Sequence, residues 1–127
     1  MRPRPLFPTL CLAALLPASA AAGAFDGVWL GRMEKDFGPL CAGSYDLHVA
    51  VEGERAAGRM RGPEGVLQLL GAMTAEGRLV ALRGRNGLRF RLDGQVKEGV
   101  LRGTWSAIRS SVGDCSGSFL LRRKAPE

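Results

Sequence analysis

Turn signals punctuate this chain at short, regular intervals: Gly38-Pro39, Glu52-Gly53, Gly62-Pro63, Glu76-Gly77, Asn86-Gly87, Glu98-Gly99 and Gly113-Asp114. Between them apolar and polar residues alternate. Tyr45, Leu47, Val49 and Val51 take one parity while Asp46, His48 and Glu52 take the other; Leu88, Phe90, Leu92 and Val96 oppose Arg89, Arg91, Asp93 and Gln95. A period of two with one apolar face describes half-buried strands, and strands parted by such turns describe an all-β meander. The pattern predicts eight strands, over about 25–33, 44–52, 56–61, 66–73, 78–84, 88–96, 100–107 and 115–123. Asn86-Gly87 is the strongest hairpin signal, because both residues accept the positive φ of a type I′ turn. Residues 64–74 admit a helix as well as a strand: Val66, Leu69, Leu70 and Met73 have helical spacing, whereas Gly65 and Gly71 favour the strand.

Glycine sharpens this outline. The chain of 127 residues holds 18 glycines, 17 of them beyond residue 24, or about 16% of that portion against a usual share of roughly 7%. Such a density excludes a mainly helical domain, since each Gly costs roughly 1 kcal/mol in a helix interior. Turns use fewer than half. The others lie within strands, on the parity of large residues: Phe25, Gly27, Trp29, Gly31 and Met33; Leu69, Gly71 and Met73; Leu92, Gly94 and Val96; Leu101, Gly103 and Trp105; Cys115, Gly117 and Phe119. Large and small side chains alternating inward suit a narrow closed barrel, in which Gly also lets the sheet bend. A two-layer sandwich with Gly at bulges is the competing architecture. The expectation is an all-β fold, a small antiparallel eight-stranded meander barrel. Residues 69–79 and 92–101 repeat weakly as apolar, Gly, apolar, Glu-Gly, apolar, which describes a repeated hairpin and not a solenoid.

The first 24 residues have another character. Arg2 and Arg4 precede an apolar stretch from Leu6 to Leu16, then Pro17 and small residues at Ala18, Ala20, Ala22 and Ala24. That is the layout of a cleaved secretory signal peptide, leaving 25–127 as the β-barrel domain. The apolar stretch is too short for a spanning helix, which needs roughly 20 residues, so no integral membrane span is expected. Removing Arg2 and Arg4 lowers the formal charge from +6 to +4 and leaves Cys41 and Cys115 of three cysteines. An even pair in an exported chain reads as a disulfide, and the expected location is the periplasm or the medium.

The start Asp26-Gly27-Val28-Trp29, with an Arg on the last strand, resembles the calycin pattern of lipocalins and avidins. The resemblance implies a guanidinium laid over the Trp indole at a closed end, and Arg123, with the parity of Phe119 and Leu121, fits better than Arg122. The chain is shorter than a lipocalin and lacks the polar ligand-ring residues of avidins. Over nearly all of 25–127, the Phe25-Asp26-Gly27-x-Trp29-x-Gly31 start and Cys115-x-Gly117-x-Phe119 end look like small secreted proteobacterial proteins classed as hypothetical. That likeness implies export, a disulfide and a β-barrel, and no activity.

No catalytic, metal-binding or cofactor-binding residues are expected. His48 is the sole histidine and takes outward parity; Gly113-Asp114-Cys115-Ser116-Gly117 superficially resembles the nucleophile segment of trypsin-like proteases, but Cys115 breaks it. No G-x-S-x-G, phosphate loop or H-E-x-x-H is present. The expectation is a non-enzymatic binding module, and two partner classes are open. A small apolar molecule or lipid inside the barrel would be lined by Trp29, Trp105, Phe90 and Phe119, unless these simply fill the core. An envelope protein, such as a hydrolase to be inhibited, would be met by the loop over 34–43 or by outward arginines at Arg59, Arg61, Arg89, Arg91, Arg102 and Arg122. Those arginines suit an anionic partner if they align into a band. Nucleic acid is not expected without exposed aromatics to stack bases.

Overall fold

The computed structural model describes residues 23–39, 41–63, 65–85, 88–109 and 113–125. They form strands β1 (Gly27–Phe37), β2 (Ser44–Glu52), β3 (Arg55–Gly62), β4 (Gly65–Met73), β5 (Arg78–Arg85), β6 (Leu88–Lys97), β7 (Val100–Arg109) and β8 (Gly113–Arg123). Each pairs antiparallel with the next, and β8 returns to β1 to close the barrel, with Trp29 opposite both Val49 and Arg123. Residues 65–73 are a strand: Leu67, Leu69 and Met73 turn inward while Val66, Gln68 and Leu70 face out. Alternation, not helical spacing, won there because both neighbouring strands offer it a ladder. One detail needs correcting. Phe25 is not on β1 but in a turn before it, half-buried against the core, and β1 itself runs on to Phe37. The Asn86-Gly87 hairpin tip lies outside the described residues, as do residues 1–22 of the expected signal segment.

The inward parity of every strand feeds one core, in which Trp29, Met33, Leu69, Leu79, Leu92, Leu101 and Leu121 have no exposed surface. The strand glycines serve this core in two ways, only one of which the sequence suggested. A Cβ at Gly31 would fall on the carbonyl oxygen of Leu120, at Gly71 on that of Val80, at Gly103 on that of Asp93 and at Gly117 on that of Glu34. At these four positions Gly makes room for the neighbouring backbone, and at Gly31 and Gly117 it also makes room for the Leu121 and Trp105 side chains. They are places where the wall turns so tightly that adjacent strands leave no space for Cβ. Gly94 fits the expectation too, since its Cβ would meet the Phe119 ring at 2.8 Å.

The two ends are finished by different means. At the end holding the start of β1, the indole Nε1 of Trp29 donates to the Phe25 carbonyl at 3.0 Å. The Arg123 guanidinium lies over that indole, 4.6 Å from the ring centroid, and donates to the Ala24 carbonyl at 3.0 Å. Asp26 accepts the Gly53 N–H at 2.8 Å, so the segment before β1 is strapped across this end. At the opposite end the β1–β2 loop is held by a disulfide between Cys41 and Cys115, with Cα atoms 6.3 Å apart. The bond spans a sequence separation of 74, for which chain entropy gives about 4 kcal/mol. It is compatible with an oxidising compartment.

Replacing Gly103 by Ala is expected to cost about 3 kcal/mol or more, because backbone on β6 would have to move. Gly58→Ala, whose Cβ would sit 3.7 Å from Leu69 in ordinary contact, should change stability by less than about 1 kcal/mol. Urea denaturation of the two variants checks the contrast; equal losses would refute the close-approach explanation.

Candidate functional site

The aromatic residues expected either to line a ligand or to fill the core are buried: Trp29 0%, Trp105 2%, Phe119 3% and Phe90 5% exposed. Tyr45, which alternation set on the apolar face of β2 but not among these four, joins them. Its ring meets Phe90 and Trp105 edge-on at 6.4 and 6.0 Å, while Phe90 and Trp105 stack at 6.1 Å. Its hydroxyl accepts the Ala42 N–H at 3.0 Å, tying this cluster to the disulfide-held loop. The indole Nε1 of Trp105 donates across Gly117 to the Glu34 carbonyl at 3.1 Å. Both indole N–H groups are therefore committed to backbone carbonyls, and no polar or charged residue counts as buried among the described residues.

Chemistry is left to the outer wall. Arg59, Arg61, Arg89, Arg91, Arg102 and Arg122 all face out and are exposed, as their parity requires. They do not align into one band. Arg59 and Arg61 sit on β3 and Arg89 and Arg91 on β6, with β4 and β5 between them, roughly 14 Å along the wall at ~4.8 Å per strand. Arg102 and Arg122 lie on β7 and β8, around an outer depression of about 590 Å³ with Leu120 in its floor. Arg91 is already engaged: Asp93 takes Arg91 at 3.2 Å and Arg78 at 3.0 Å. Partial burial pushes the Asp93 carboxyl up, but the Arg91 hydrogen bond and the charge and hydrogen bond of Arg78 outweigh it and hold it below the usual range. The other five form no ion pair among the described residues. His48 faces out between Leu30 and Arg59, beside a groove of about 310 Å³ that Arg59, Arg61 and Val66 also line.

Between the two arginine pairs the wall is incomplete. The ladder joining β4 to β5 runs only from Leu70–Leu82 to Met73–Leu79, four pairs, whereas β6 and β7 share ten. The next pair would set Leu69 against Arg83, and there the ladder stops. Arg83 has the interior parity of Leu79 and Ala81, and its Nε is buried without a hydrogen-bond partner among the described residues. A guanidinium cannot be closed inside an apolar barrel without heavy desolvation cost, so the strands part where it enters. Beside the gap, Leu70 is 66%, Leu82 51% and Val66 46% exposed. The sequence held one signal of this feature that went unused: on β5 the parity of Leu79 and Ala81 continues into the charged residues Arg83 and Arg85.

No protein-family model matches the chain, and no curated protein matches its sequence. Among the described residues no helix is long and apolar enough to cross a membrane.

Asp93→Asn is expected to lower stability by about 1 kcal/mol or less at neutral pH, because its ion pairs are partly solvated. A carboxylate whose folded pKa is depressed stabilises above its unfolded value and loses that contribution as pH falls through the folded value. The difference between wild type and variant should therefore narrow steadily as pH falls below the usual carboxylate range. Urea melts at neutral and at successively lower pH check this, and a gap that did not narrow in acid would contradict it.

Proposed function

We propose that this chain is an exported, non-enzymatic binding module that recognises a protein with its outer wall, in the manner of an inhibitor of an envelope hydrolase. The reading places it, after signal cleavage, in the periplasm or the medium, on a calycin-like scaffold resembling small secreted proteobacterial proteins. The observation that carries it is the packed core of the described residues. Trp29 and Trp105 pack with essentially no exposure and give their N–H groups to backbone, so the residues that would line a ligand are spent on the core. The outer wall, by contrast, carries arginines without an ion pair among the described residues and exposed Leu70, Leu82 and Val66, the mixture of charged and apolar contacts that protein interfaces use. Between the two partner classes open at the level of sequence, an apolar ligand inside the barrel loses support and a protein on its surface gains it.

Titration with oleate should leave Trp emission unchanged. Native mass spectrometry of the protein taken from its own envelope should show the chain without a retained small mass, in stoichiometric complex with one protein. A saturable emission shift or a retained lipid mass would overturn the proposal.

A further inference from the structure

We infer that the parted seam between β4 and β5 is a strand-addition site for an extended segment of a partner protein, one in which apolar and acidic side chains alternate. This rests on the protein-binding reading above and names where and what it binds.

Three independent observations meet at the seam. First, residues 67–69 of β4 and 83–85 of β5 keep their ladders with β3 and β6 but have none with each other among the described residues. Each therefore offers an open strand edge, the feature that extended peptides pair with. Second, successive side chains of an added strand point alternately out and in. Its outward residues would lie beside Val66, Leu70 and Leu82, which are exposed and apolar. Its inward residue would meet Arg83, whose buried Nε has no acceptor among the described residues. A carboxylate there supplies the acceptor and neutralises the charge in one contact. Third, Arg59 and Arg61 on one flank and Arg89 on the other form no ion pair among the described residues and favour further acidic residues at the ends of the segment. The same charges repel a second copy of this chain, whose own β5 edge carries Arg83. A fatty acid would satisfy Arg83 but not the strand edges.

The experiment uses the intact mature protein and a fluorescein-labelled octapeptide of alternating Val and Asp, with an alternating Val and Lys octapeptide as the control. The acidic peptide should bind saturably by fluorescence polarisation and the basic one should not. On binding, amide hydrogen exchange should slow over residues 67–69 and 83–85. Arg83→Leu should weaken binding about tenfold or more, the loss expected of a charge-assisted hydrogen bond. The same variant should raise the thermal midpoint, because it removes a charge that the free protein desolvates without recompense. Arg102→Ala, on the far wall, should leave affinity unchanged. Binding indifferent to Arg83→Leu, protection elsewhere in the barrel, equal binding of the basic peptide, or displacement of the acidic peptide by oleate at equal concentration would each overturn the seam assignment. A native partner whose contacts map to the loop over 38–43 would overturn it too, while leaving the protein-binding function intact.

Discussion

Close approach of backbones at Gly31, Gly71, Gly103 and Gly117 governs this molecule. At each, a neighbouring carbonyl occupies the volume a Cβ would need, so the sheet coils into a barrel too tight for a spacious interior. The consequences run outward from there. Inward side chains pack into one core, and Trp105 reaches over Gly117 to a carbonyl on β1 because no side chain stands between them. A barrel narrowed in this way gives its interior to packing.

Tightness also explains why the ends are closed by specific contacts. Specific contacts stand at both mouths: at one the strap over 24–26 with Arg123 on Trp29, at the other the disulfide and the Ala42 N–H bond to the Tyr45 hydroxyl. The side wall yields instead. Arg83 takes an interior position that the core cannot solvate, and the β4–β5 ladder ends beside it. Stability is given up at that seam, and the molecule gains an accessible strand edge that a fully zipped barrel would lack.

Much of the fold was legible in the residues. The eight strands, their order and their inward parity follow from turn signals and period-two alternation, and Arg123 over Trp29 follows from a motif and parity together. Parity also told correctly that Arg59, Arg61, Arg89, Arg91, Arg102 and Arg122 face out. It did not tell that they fall into separate groups, because parity states a side of the sheet and not a distance around it. The role of the strand glycines was only half legible. Sequence showed that they share a face with large residues, but not whether side chain or backbone would fill the space they leave.

What the sequence determined by itself was local and periodic: strands, turns, an inward and an outward face, and a cysteine pair able to join. Those depend on covalent geometry and on apolar spacing, which are properties of the chain before it folds. Whether the barrel is filled, which arginines stand alone, and that the wall opens beside Arg83 were decided only by tertiary structure. Each depends on how far apart strands distant in sequence come to lie, and that distance is set when eight strands share one closed circumference.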